Sequence, residues 1–395
     1  MNKRKICVVT STRAEYGILK PLLAEIDADS SLNLQLVVTG THLSEKYGET
    51  YKEIEKDGFK IDAKITMNLN DDSNVALSLA MAQLQSDITK IFFELKPDII
   101  VILGDRYEIL SVATAAMMLH IPLAHVHGGE LTEGAMDDSI RHAVTKLSHL
   151  HFTSTQEYAQ RVIQLGEQPK RVFNVGSLAV EQIKKLPLLS KEELEESIKF
   201  HFGKKNLLVT YHPETLSILS PQEQFQELLN ALDVLENTKI IFTKANADAG
   251  GAIINTIIDK YVTKNKNKAI AFTSLGQLRY FSTIKYIDAV VGNSSSGILE
   301  VPSFHKPTIN IGDRQKGRTQ ASSILNAPLS SQKIKEAIEK VYKKDFLFQN
   351  IHSTNPYERD HTSVKIKEVL KITSLNTLLQ KRFYDLHCSL ENVSL

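Results

Sequence analysis

Cysteine is almost missing from this chain, with two residues in 395: Cys7 inside an apolar run and Cys388 near the end. That excludes a disulfide framework and a cysteine-based zinc site. Net charge is missing as well, because 47 lysines and arginines face 46 acids. Without a basic field there is no general attraction for nucleic acid, so an anionic ligand must be met by local groups. No apolar run approaches the ~20 residues that cross a bilayer. The opening MNKRKICVVT has a basic flank, but its apolar run breaks at STRAEYG without a cleavage-site pattern. The expectation is a cytoplasmic protein that partners neither nucleic acid nor membrane.

What the chain has is length and alternation. At 395 residues it exceeds one compact core and suits two domains with a cleft. KICVVT (5–10), LQLVVT (34–39), DIIVIL (98–103), PLAHVH (122–127) and LHFTS (150–154) are apolar runs without clean alternation. Strands buried on both faces of a parallel sheet read this way. Amphipathic stretches at 74–95 and 107–119 lie between them. The second half repeats the pattern with NLLVTYH (206–212), KIIFTK (239–244), AIAFTS (269–274), DAVVG (288–292) and PTINIG (307–312). The expected fold class is α/β, with two doubly wound Rossmann-like domains. Residues 1–178 form the first domain, 179–370 the second and 371–395 a helical tail, with helical patterns at 330–342 and 364–382. The polar segment 178–203, with a capping signal from Ser190 to Glu193, is the connection.

In open α/β sheets, ligands bind beyond the carboxyl ends of the strands. TSTRAEYG after the first strand places Arg13 in a βα loop and carries no glycine-rich dinucleotide fingerprint; a helix cap with a surface arginine is the plain alternative. GDRYE brings Asp105 and Arg106 out at another strand end, HVHGGE follows a third, and TYHPET carries His212. KANADAGG places Asn246 at a strand end. VGNSSSGILE offers the best phosphate loop: three serines and Gly297 ahead of a helix start, with Glu300 one turn in to accept from ribose hydroxyls. NIGDRQKGR adds Arg314 and Arg318 as charge-assisted donors to a diphosphate. In DDSIRH, Asp137 and Arg141 share one helix face, and Asp138 and His142 the next. His149 and His151 beside a strand read as structural. A zinc site in this histidine-rich stretch lacks the i, i+4 histidine pair, and none is expected.

Taken in order, TSTRAEYG, GDRYE, HVHGGE, DDSIRHAVTKLSHLHF, YHPET, VGNSSSGILE and NIGDRQKGR resemble the UDP-N-acetylglucosamine 2-epimerases. More narrowly, they resemble the hydrolysing branch of sialic-acid-type pathways. The resemblance covers nearly the whole chain and implies a glycosyltransferase-B-like fold with the active site in the interdomain cleft, no cofactor, and a homodimer. The implied reaction turns a nucleotide sugar, UDP-N-acetylglucosamine, and water into UDP and N-acetylmannosamine through 2-acetamidoglucal. Uridine-diphosphate contacts then fall on Arg13, Arg106, Asn246, Ser294, Ser295, Glu300 and Arg314, with Tyr280 near the base. Acid/base roles fall on Asp105, Asp137 and His212. Several relatives read HVEGGE where this chain reads HVHGGE, so His127 stands at the first acidic position and Glu130 keeps the second. A GDP-linked or 2,4-diacetamido substrate, the non-hydrolysing epimerase and a non-catalytic nucleotide-sugar binder are the alternatives.

Overall fold

The structure is a computed structural model that describes residues 3–71, 73–132, 136–214, 218–245 and 250–386. Its chain forms two compact units. In the N-terminal unit the strands are β1 (Arg4–Thr10), β2 (Leu32–Thr39), β3 (Ala63–Ile65), β4 (Ile99–Leu103), β5 (Leu123–Val126), β6 (Leu150–Thr153) and β7 (Val172–Asn174). They pair in the order β3-β2-β1-β4-β5-β6-β7, every pair parallel. The apolar runs have the cause expected of them: Ile6 and Val8 enter the core on one face of this sheet, Cys7 and Val9 the core on the other. The short strands β3 and β7 are too brief to show a pattern in the sequence.

The C-terminal unit repeats the plan with β8 (Lys205–Thr210), β9 (Thr238–Thr243), β10 (Ala269–Phe272), β11 (Ala289–Gly292), β12 (Thr308–Ile311) and β13 (Ile324–Ala327). Their order is β10-β9-β8-β11-β12-β13, again all parallel. In both sheets the order reverses beside the first strand, between β1 and β4 and between β8 and β11. Those are the topological switch points at which such sheets hold ligands. Among the described residues, no helix is long and apolar enough to cross a membrane.

Two boundaries differ from the sequence expectation. The N-terminal unit runs to Glu181 and resumes at Arg359, rather than ending at 178 with the second domain reaching 370. The helix Thr362–Ile372 is the reason, because Ile366 and Leu370, one turn apart, join the core that holds Leu19, Leu22 and Leu23 of the helix Arg13–Asp27. That helix also stops at Ile372 instead of 382, where Thr373 turns to an extended conformation. The chain beyond it is held by side chains. Arg171 donates to the carbonyls of Leu378, Thr377 and Gln380, and Lys381 donates to those of Lys146 and Ser148.

Lys381 also reaches the buried carboxylate of Glu167 (2.8 Å), which accepts from Lys146 (2.6 Å) and His151 (3.0 Å) as well. Burial pushes the Glu167 carboxyl up, but those three donors outweigh it and hold it at about 2. A depressed folded-state pKa contributes stability at pH values above the ordinary glutamate range, and that contribution fades as pH falls from about 4.5 toward about 2. Glu167→Gln is therefore expected to cost about 3 kcal/mol near neutrality. Urea unfolding of both proteins at pH 7 and at pH 2.5 checks this, and a gap that fails to narrow in acid would remove the charge argument.

Candidate active site

In the N-terminal unit the carboxyl ends of β1 and β4 carry a set of buried charges. Thr12 and Glu15 form a capping box at the start of the helix Arg13–Asp27. Arg13 itself is exposed and meets Glu53 at 3.0 Å. Glu15 is buried, and its Oε2 accepts from the Ser11 amide (2.7 Å), the Ser11 hydroxyl (2.8 Å) and the Thr12 amide (3.2 Å). Burial and then the nearby Glu108 carboxylate push the Glu15 carboxyl up to about 7. Glu108 is fully buried and receives the Arg106 guanidinium in a fork, Nε at 3.1 Å and Nη2 at 2.8 Å. Arg106 is thereby fixed at the edge of β4.

Asp105, the residue before it, bonds the guanidinium of Arg141. Arg141 is 1% exposed, and its Nη1 donates to the Glu130 carbonyl (2.8 Å) and to Asp138 (3.2 Å). The other Asp138 oxygen lies 3.4 Å from His142 Nε2, as the shared helix face implied. Asp137 is exposed in the first turn of the helix Met136–Leu147. His125, inside β5, sits between the Gly104 carbonyl (2.7 Å from Nε2) and the Thr145 hydroxyl (3.1 Å from Nδ1). A carbonyl only accepts, so Nε2 carries the proton and Nδ1 accepts from Thr145. Burial drives the His125 pKa down to about 3, and the ring is a neutral strut beneath the Asp105 loop.

The strand ends at Val126, and His127 takes a left-handed backbone (φ 65) that turns the chain. His127 and Glu130 are both buried, with Nδ1 3.8 Å from Oε1. That Oε1 also accepts from the Ser154 hydroxyl (3.0 Å), just past β6. His149 and His151 lie apart from this group. The first accepts from the Leu123 amide (3.2 Å), and the second bonds Glu167.

In the C-terminal unit β11 ends at Gly292 (φ 140), where a Cβ would fall 1.8 Å from the Thr210 carbonyl oxygen of β8. Only glycine allows that approach. Asn293 follows, fully buried between His212 and the loop after β12. Ser294 caps the short helix Ser295–Leu299 by accepting from the Ser296 amide (3.4 Å). Ser296 links the Tyr280 hydroxyl (2.9 Å) to the Glu300 carboxylate. Burial raises the Glu300 carboxyl, against the pull of the Ser296 hydroxyl. Gly297 packs this helix on β12, since a Cβ there would lie 2.7 Å from the Thr308 methyl. Glu214 ties the TYHPET loop to the loop after β12, accepting from the Asp313 amide (3.0 Å). Arg314 Nη1 reaches the Asn293 carbonyl at 3.2 Å.

The structure thus gathers Asp105, Glu130 and His127 at the carboxyl edge of the first sheet, and Tyr280, Ser294, Glu300, Arg314 and His212 around the switch point of the second. Ser295 opens the helix that Ser294 caps. Asn246 lies outside the described residues. Sequence reading gives no role to Asn293, Glu108 or Ser154, and places Glu15 only in a first helical turn and Ser296 only among the loop serines. All five lie inside the quoted stretches, but nothing in their spacing separates them from their neighbours.

Comparison with known proteins decides the family. The sequence pattern of UDP-N-acetylglucosamine 2-epimerase matches residues 24–371. The chain belongs to that family. Among full-length relatives of this epimerase, the GDP/UDP-N,N'-diacetylbacillosamine 2-epimerase (hydrolyzing) of Campylobacter jejuni is 48% identical, covering 98% of this chain and 100% of its own. The polysialic acid biosynthesis protein P7 of Escherichia coli is 41% identical, covering 97% and 98%. The crystal structure of UDP-GlcNAc 2-epimerase from Neisseria meningitidis bound to UDP-GlcNAc superimposes with a TM-score of 0.72 at 17% identity, covering 93% of this chain and 100% of that one. At that identity it supports the two-domain, glycosyltransferase-B-like fold.

Arg141 supplies a direct test of what its network contributes to this epimerase. Arg141→Met leaves Asp105 and Asp138 without their shared cation, and the expected loss of unfolding free energy is about 3 kcal/mol. Denaturant titration measures it; a loss within the roughly 0.5 kcal/mol typical of surface changes would mean the network adds little.

Proposed function

We propose that this epimerase hydrolyses a nucleotide-linked 2-acetamido sugar with inversion at C2, releasing the nucleoside diphosphate and the free epimerised sugar. The observation that carries the proposal is the group Asp105–Arg141–Glu130–His127, acid/base functions held at a strand edge around a buried arginine, in a chain matched end to end by a hydrolysing relative. The C2 hydrogen is not acidic in the intact sugar. As the C1–O bond breaks, positive character grows at C1 and the ring oxygen, and H2 comes within reach of a general base. The electron pair of the C2–H bond becomes the C1–C2 double bond of a 2-acetamidoglucal, and the diphosphate leaves with the C1–O pair. Water then adds at C1, while C2 takes a proton on the opposite face.

Two faces need two acid/base groups, which this reading draws from Asp105, Glu130, Asp137 and His127. It assigns the departing diphosphate to Arg13, Arg106, Ser294, Ser295, Arg314 and His212, and the nucleoside to Asn246, Tyr280 and Glu300, where charge stabilisation is the largest contribution. No cofactor or metal enters these steps. The 48% identity to an enzyme named for N,N'-diacetylbacillosamine supports a 2,4-diacetamido substrate; UDP-N-acetylglucosamine is the second reading, supported by the 30% identity to an enzyme of Neisseria meningitidis named for it. The proposed setting is the cytoplasm, ahead of nonulosonic acid synthesis. The helix Asn74–Leu95 exposes Val75, Leu79 and Phe93 along one face, which supports a homodimer.

Incubation of each nucleotide sugar in heavy water tests the reaction. Free nucleoside diphosphate with C2-deuterated, epimerised sugar is expected; a retained nucleotide or an unlabelled C2 would overturn it. His127→Ala and Glu130→Gln, assayed for C2 exchange, divide the labour at the HVHGGE loop, the larger loss marking the group that moves the proton. For the assembly, Leu79→Glu is expected to halve the mass seen by light scattering, and an unchanged mass would place the dimer contact elsewhere.

A further inference from the structure

We propose that Asn293 is a positioning residue that sets His212 and Arg314 against the same ligand, an inference that rests on the nucleotide-sugar reading above. Every polar group of Asn293 is used. Its amide donates to the Thr210 carbonyl at 3.1 Å. Its side chain grips the main chain of His212 from both sides, Oδ1 accepting from the His212 amide (2.8 Å) and Nδ2 donating to the His212 carbonyl (2.8 Å). Its own carbonyl accepts from Arg314 Nη1 (3.2 Å) and Gln315 Nε2 (2.9 Å). One residue therefore joins the end of β8, the serine loop after β11 and the arginine loop after β12.

The chemistry fixes which side chain can do this. An amide hydrogen only donates and a carbonyl only accepts, so the residue must present one acceptor and one donor from the same planar group. Asparagine does so at any pH. Aspartate matches that pattern only when protonated; ionised, it turns an oxygen toward the His212 carbonyl. Gly292 and the Thr210 approach explain why the residue must be short, because the two strand ends are already in contact.

The test uses the full-length protein, with Asn293→Asp and Asn293→Ala beside wild type at pH 8 and pH 5. At pH 8 both variants are expected to bind UDP and to turn over at least about ten-fold more weakly, the loss of one well-satisfied buried hydrogen-bond pair. At pH 5 only Asn293→Asp is expected to recover, as the carboxyl regains a donor. His212 and Arg314 are the titratable and charged groups that border position 293, with Glu214 on the arginine loop; the wild-type pH profile and an Asn293→Ala profile correct for them. Thermal unfolding at each pH confirms that the variants are folded, and a purely structural role would alter that reading alone.

Folded variants with wild-type UDP affinity, turnover and His212 ring titration by NMR would overturn the proposal. If wild type turns over no nucleotide sugar, the functional reading fails by itself. The positioning role is then judged on UDP affinity and the His212 titration, which Asn293→Ala is expected to shift, and no shift counts against it.

Discussion

A guanidinium cannot be left unpaired inside a protein, and Arg141 is almost wholly inside. Its hydrogens must find oxygens, and the N-terminal unit is arranged so that they do. Asp105 comes from the end of β4, Glu130 lends its carbonyl from beyond β5, and Asp138 lies one turn back on the same helix. Two of these groups stand on loops beyond strand ends, and the third is on the helix that carries the arginine. The arginine ties the ends of β4 and β5 to its own helix. His125 does the same from below with a neutral ring, joining the Gly104 carbonyl to Thr145 on the helix that carries Arg141.

Both units solve the same problem with different chemistry. At the switch point between β1 and β4 the groups are ionisable: buried Glu15 and Glu108, with the half-buried Arg106 on Glu108. Between β8 and β11 they are neutral, with Asn293 gripping the backbone of His212. Burial and then the Glu108 carboxylate outweigh the Arg106 cation, which is why the Glu15 carboxyl rises to about 7. An amide has no proton to lose. The contrast suits the proposed reaction, which asks one unit to move protons and the other to receive a dianion without changing its own charge.

The parallel strands were legible because burial on both faces leaves little room for polar residues, as the all-apolar β4 shows. The loops that matter were legible because Asp105, Arg106 and the serine run follow such strands directly. The unit boundary at Arg359 was not, because an amphipathic helix declares that it has an apolar face and not which core receives it. The end of that helix at Ile372 is hidden for a related reason: Lys381 and Phe383 continue a helical composition while being held by side-chain contacts. Asn293 escaped notice because hydrogen bonding to a backbone 81 positions away leaves no trace in local spacing.

The histidine of HVHGGE follows from the same logic. A residue with φ 65 at the end of β5 costs least for glycine and, among side chains, for residues such as histidine and asparagine. Histidine at this point therefore turns the chain and still presents a ring nitrogen 3.8 Å from the Glu130 carboxylate. Ser154 donates to that same Glu130 oxygen from the end of β6, so one carboxylate oxygen joins the loops after β5 and β6. The proposed reaction draws its acid/base groups in part from this loop, and Ser154 fixes where the Glu130 oxygen stands.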